Sequence, residues 1–267
     1  MKKIAVIIAI ITLIGIVLGL NISNNSKEVS GEENFNKVIE NEENGTNNIK
    51  ENSYEILKVT ETKEIKNDDG ITIVNLEYSY PVIENEGEDE YIDYINKEYK
   101  LNADKFAKQA EESKEEAQNL YEEMEENFMP YARELSYEIH INKNGLLSIT
   151  AIQYYNNSGA YGSFVKESKN FSVNQKEELS LSDIIDDTKW DFRENLYKLF
   201  KEKLEKDGLE FDEITETTLS EELGSVQYYI KDGAVVLYFN AEQVAPHALG
   251  EPTIEIPYNE EMFLIKI

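Results

Sequence analysis

Cysteine is absent from all 267 residues, which excludes disulfides, thiol nucleophiles and cysteine-ligated metals. Histidine is nearly absent, with only His140 and His247. A histidine-based metal site or nucleophile relay needs at least one of these with partners at fixed spacing. His140 lies instead in a strand-like alternation, and His247 in a Pro-His-Ala-Leu-Gly turn. No H-x-x-x-H, G-x-S-x-G or glycine-rich phosphate loop occurs. Basic residues are scarce: 26 Lys and Arg face 54 Asp and Glu, for a formal net charge of -28. Such a chain repels nucleic acid and anionic lipid, and attracts cationic proteins or divalent ions. No catalytic set, metal site or cofactor is expected, and no nucleic-acid partner.

The one long apolar run stands at the start. Met1-Lys2-Lys3 precedes Ile4 to Leu20, which carries no charge and a single hydroxyl, Thr12. A helix of that length reaches about 26 Å, slightly short of a hydrocarbon core of about 30 Å. The best cleavage site, Val17-Leu18-Gly19, is poor, so residues 1–20 read as an uncleaved anchor, with secretion after signal cleavage the alternative. The positive-inside rule places Lys2 and Lys3 in the cytoplasm and the rest outside. Without a cysteine there is no lipobox.

Residues 21–52 are dominated by Asn, Glu, Ser, Lys and Gly, with Phe35, Val38 and Ile39 as isolated bulky groups. They read as a disordered tether with an end-to-end distance on the order of 30 Å. From Tyr54 the pattern becomes strand-like on both sides of Asn67-Asp68-Asp69-Gly70, a hairpin signature. From about Glu88 to Phe128, Ile92, Ile95, Tyr99, Ala103, Phe106, Ala110, Ala117, Leu120 and Met124 recur at three- and four-residue steps. This predicts a long amphipathic helix, bent near Asn102 and stopped by Met129-Pro130, packing on a sheet. Strands follow at 135–141, 146–155 and 164–173, read as an antiparallel meander. A short helix at Leu181 and a second amphipathic helix over 189–206 precede strands at 226–230, 235–239 and 253–256. The fold class expected is α+β, with antiparallel sheets, one long helix and a second shorter one.

Certain segments carry a resemblance. Ser158-Gly159-Ala160-Tyr161-Gly162, then Leu179-Ser180-Leu181-Ser182-Asp183-Ile184, Val235 to Asn240, Val244-Ala245-Pro246-His247-Ala248-Leu249-Gly250 and Ile254 to Tyr258 resemble the paired domains of unknown function in the ectodomain of the lysozyme-sensing anti-sigma factor RsiV. Similar modules precede the catalytic domain of the peptidoglycan deacetylase PdaC. The resemblance implies two small modules packed together, over 53–157 and 158–267. It also suggests lysozyme as a ligand. The cytoplasmic sigma-binding segment of such sensors and the separate deacetylase domain are not expected here. Where the family loop commonly reads Gly-Gly-Ala-His-Gly, Tyr161 stands in place of the histidine, which weakens any metal or acid–base role there.

The carboxylates are too many for any glycosidase pair to be singled out. Asp183, Asp186, Asp187 and Asp191 lack calcium-loop spacing and read as acids at helix starts. The 17 tyrosines include the pairs Tyr154-Tyr155 and Tyr228-Tyr229, read as one ring toward the core and one covering the sheet. The candidate ligand surface is the loop with Tyr155, Ser158, Gly159, Ala160, Tyr161 and Gly162, together with the turn carrying Pro246, His247 and Gly250. The functional expectation is an extracytoplasmic binding domain for a cationic protein such as lysozyme or a cell-wall polymer. The alternative is an accessory domain or weak hydrolase acting on peptidoglycan.

Overall fold

The computed structural model describes the backbone of Asn36–Asn41 and all of residues 53–267. The apolar segment 4–20 and most of the expected tether lie outside the described residues. Among the described residues no helix is long and apolar enough to cross a membrane.

One large sheet runs in the order β1 (Asn36–Asn41), β2 (Ile56–Lys66), β3 (Thr72–Ile83), β4 (Tyr131–Lys143), β5 (Leu146–Asn156), β6 (Ser163–Ser172) and β7 (Glu177–Glu178). Strand β1 falls where the sequence suggested an unordered tether. It pairs antiparallel with β2, Val38 opposite Thr60 and Ile39 opposite Val59. Two adjacent β-branched residues among polar ones suit an edge strand that borrows its order from an existing ladder.

The hairpin turns are set by short polar residues. Asn67 Oδ1 accepts the N–H groups of Asp69 (3.1 Å) and Ile71 (2.8 Å), and Gly70 takes φ +81°. Between β4 and β5 the two-residue turn Asn144-Gly145 has φ +55° and +80°, the primed geometry that matches strand twist. A Cβ on Gly145 would also overlap the Asn174 side chain.

The expectation of wholly antiparallel sheets is corrected at β3 and β4, which pair in parallel, Val74 opposite Tyr131 and Tyr78 opposite Leu135. The reason is the connection: a helical crossover on one face returns the chain in the same direction. That crossover is α1 (Glu90–Glu112) followed by α2 (Lys114–Met124). Asp89 caps α1 by accepting the Tyr91 N–H at 2.8 Å. Ile92, Ile95, Tyr99, Ala103, Phe106 and Ala110 are its buried face. The helix passes Asn102 unbroken; the discontinuity is at Ser113, whose hydroxyl donates to the Ala110 carbonyl at 2.7 Å and competes with the helical ladder. The face packs on β3, and the first core joins it to Ile73, Tyr131, Leu147, Ile149 and Phe171.

The second core lies under α3 (Leu181–Ile184), α4 (Phe192–Lys206), α5 (Glu213–Glu222) and a three-stranded sheet ordered β10 (Thr253–Pro257), β9 (Ala234–Tyr238) and β8 (Gln227–Lys231). Leu196, Phe200 and Leu204 of α4 meet Val235, Leu237 and Phe239, with the Phe200 and Phe239 rings 4.5 Å apart. The β5–β6 turn, where the sequence placed the module boundary, lies within the large sheet; the second core draws Ile141 from β4 and Leu146 from β5 and otherwise runs from Leu179 onward.

The two cores meet across polar side chains. Ser148, Thr150 and Asn170 of β5 and β6 are almost fully buried. The Ile230 N–H donates to Ser148 Oγ (3.0 Å) and Asn170 Oδ1 (3.2 Å), and Asn170 Nδ2 donates to the Tyr228 carbonyl (3.0 Å). Asn240 acts like a strand residue toward β6: its Oδ1 accepts the Lys166 N–H at 2.7 Å and its Nδ2 donates to the Lys166 carbonyl at 3.1 Å. Strand β8 and the loop after β9 therefore dock on the large sheet by side-chain amides and hydroxyls, which satisfy backbone groups that burial would otherwise strand.

Candidate binding surface

The loop between β5 and β6 is held from below. Asn156 brackets Gly159, its Oδ1 accepting the Gly159 N–H at 2.9 Å and its Nδ2 donating to the Gly159 carbonyl at 3.2 Å. Ser158 adopts φ +60° and is buried, its hydroxyl oxygen accepting the Met129 N–H at 2.8 Å. Beneath it Arg133, only 6% exposed, donates to the carbonyls of Ala132 (2.9 Å) and Asn156 (3.1 Å) and to Asn157 Oδ1 (2.7 Å). Its guanidinium lies 4.8 Å from the Tyr131 ring centroid and 5.6 Å from that of Tyr155. Burial works against its charge, while Tyr131, Glu116 and Tyr155 favour it.

The predicted residues of this loop divide into two groups. Tyr155 and Ser158 face inward: the Tyr155 ring packs 5.6 Å from Phe106, its hydroxyl donates to Gln153, and burial pushes its pKa up to about 12. Gly159, Ala160 and Tyr161 face solvent, Tyr161 at 87% exposure. Gly162 lies under the Tyr154 ring, which a Cβ there would overlap, and Tyr154 packs 4.8 Å from Phe164. Phe164 and Val165 are themselves exposed, on opposite faces of β6: Phe164 lies on the Tyr154 face and Val165 on the other. The tyrosine pairs do split between faces, Tyr155 toward Phe106 and Tyr154 toward Phe164; likewise Tyr228 packs on the second core while Tyr229 stacks on His140.

The second predicted segment is a turn in which Pro246 leads a 3-10 segment, His247–Leu249, closed by Gly250 at φ +68°. Leu249 packs on the second core, while Pro246 and His247 are exposed. The His247 Nδ1 lies 3.7 Å from Glu242 Oε1. Lys166 links this segment to β6, its Nζ 2.7 Å from Glu251 Oε2 while its backbone pairs with Asn240. Sequence reasoning missed Arg133, Phe164, Val165 and Asn240. For Arg133 a signal existed: Tyr131, Arg133 and Leu135 alternate on one buried face of β4, and a charge on such a face calls for partners.

Elsewhere, His140 stacks on Tyr229 with ring centroids 3.7 Å apart, and its Nε2 is 2.8 Å from Thr150 Oγ1. Burial first, then the Lys166 charge, pushes its pKa down to about 4. The acids after Ser180 serve local structure: Asp183 joins Ser180 in a capping box, Asp191 caps α4 by accepting the Glu194 N–H at 2.9 Å, and Asp186 accepts the Thr188 N–H at 3.0 Å. Among the described residues no three His, Cys, Asp or Glu side chains gather to hold a metal.

Two family models match the chain. Residues 65–164 match the model described as Deacetylase PdaC, and residues 182–259 match that described as a protein of unknown function, DUF3298. A comparison with curated proteins finds no match. Among solved structures, a member of the DUF3298 family from Bacteroides fragilis is similar with TM-score 0.56 and 16% identity, over 87% of this chain and 94% of that one. A DUF3298 family protein from Pseudomonas aeruginosa is similar with TM-score 0.47 and 15% identity, over 87% and 95%. At such identity the Bacteroides structure supports the α+β fold alone. The region that matches the PdaC model supplies most of the large sheet and its crossover helices, and the region that matches the DUF3298 model supplies the small sheet.

Proposed function

We propose that this protein is an extracytoplasmic binding module, held at a bacterial membrane by its apolar N-terminus, whose ligand is a cationic protein such as lysozyme. The observation that carries the reading is charge. If every one of the 26 basic side chains were matched to one acid, 28 carboxylates would remain. A surface field of that sign raises the encounter rate with a basic protein and disfavours anionic partners. Two further features support it. The sequence resemblance to the RsiV ectodomain implies a lysozyme ligand, and the exposed rings of Tyr161 and Phe164 offer the rigid aromatic area typical of binding anchors.

The test immobilises the full chain in detergent and challenges it with lysozyme and with an acidic protein of similar size. Retention of lysozyme alone is the expected result. Retention of neither, accompanied by release of sugar or acetate from purified cell wall, would replace this reading by a peptidoglycan-directed one.

A further inference from the structure

A cation with no carboxylate in hydrogen-bonding contact, buried under a loop that exposes an aromatic ring, is an uncommon arrangement. A buried charge must find compensation. Arg133 finds it in two carbonyls, one side-chain amide oxygen and two ring faces, and two of its three hydrogen-bond acceptors, the Asn156 carbonyl and Asn157 Oδ1, belong to the root of the β5–β6 loop. The same root carries the strained Ser158 and the Asn156 bracket around Gly159. Four residues in a row, 156–159, are thus fixed by named bonds, while Tyr161, two residues further on, is 87% exposed. A loop needed only to join β5 to β6 would not require a buried guanidinium; hairpins are closed by far simpler turns.

We propose that Arg133 is a positioning residue: it fixes the β5–β6 loop in advance, so that Tyr161 meets the partner without the loop having to be ordered on binding. The proposal rests on the binding role given above to this loop. Preorganisation raises affinity by removing the ordering term from association. Lysine is not a substitute, because one ammonium on a flexible stem does not span three acceptors in the plane of a guanidinium.

The experiment uses the full chain in detergent, in four forms: the natural sequence, Arg133→Lys, Tyr161→Ala and the double variant. Two readouts are taken, the affinity for lysozyme and amide hydrogen exchange over residues 156–162, where the Gly159 N–H reports on the bracket. Arg133→Lys is expected to weaken binding about tenfold, to speed exchange within the loop, and to have no further effect on affinity in the Tyr161→Ala background. An equal loss in both backgrounds, or unchanged loop exchange, overturns the proposal. If the natural chain does not bind lysozyme, the proposed function fails, and loop exchange alone then decides whether Arg133 fixes the loop. Should Arg133→Lys not fold, Asn157→Ala removes only the exposed acceptor; faster exchange at Gly159 then supports the proposal and unchanged exchange refutes it.

Discussion

Substituting Asn170 by alanine tests whether the polar seam holds the two cores together. Asn170 is 1% exposed, so water does not replace what the side chain supplied. Its removal deletes two hydrogen bonds, to the Tyr228 carbonyl at 3.0 Å and from the Ile230 N–H at 3.2 Å. Each contributes about 1 kcal/mol, and a carbonyl left buried without a partner costs about 1–3 kcal/mol more. The Ile230 N–H keeps Ser148 Oγ at 3.0 Å, so its share of the penalty is small. Counting the lost Tyr228 bond and its stranded carbonyl, the loss expected is about 2–4 kcal/mol, or a fall in Tm of about 4–16 °C for a folded region of this size. Urea unfolding followed by tyrosine fluorescence and circular dichroism gives the free energy. The double variant with Ser148→Ala leaves the Ile230 N–H with no acceptor, so the two changes together exceed their sum by about 1 kcal/mol. A loss below about 0.5 kcal/mol for Asn170→Ala, or strict additivity with Ser148→Ala, would refute the seam as described.

Acid sensitivity provides a second test. His140 has a folded pKa of about 4, below the usual histidine value of about 6.5. The unfolded chain therefore takes up its proton first as pH falls, and stability is lost between about pH 6.5 and 4. His140→Gln is expected to lose less stability than the natural chain over that interval, measured by urea unfolding at each pH; parallel curves would contradict it. Gly162→Ala sets a methyl against the Tyr154 ring, displaces it from Phe164, and is expected to destabilise by about 1 kcal/mol while changing the environment of both rings in NMR spectra.

Much of this fold is readable from local chemistry. The Asn-Asp-Asp-Gly and Asn-Gly turns, the three- and four-residue spacing from Ile92 to Ala110, and the Val235–Phe239 run each announce their element without help from the rest of the chain. What escaped depends on contacts remote in sequence. Strand β1 is a strand because β2 is beside it. Helix α5 has one buried residue, Leu219, among threonines, so its periodicity is faint although Asp212 caps it by accepting the Thr215 N–H at 2.9 Å. The parallel β3–β4 pair follows from where the crossover helices return the chain, which periodicity does not encode. The candidate loop was legible as a loop; that Ser158 and Tyr155 turn inward, and that Phe164 is exposed beside Tyr154, required the register of β5 against β6.

The central claim concerns a strongly acidic surface and a basic protein ligand, and calorimetric titration of the full chain with lysozyme at low and at moderate salt tests it most directly. Binding at low salt that weakens markedly at moderate salt is the predicted result, since the attraction between opposite net charges is screened. Absence of binding at both salt concentrations would contradict it.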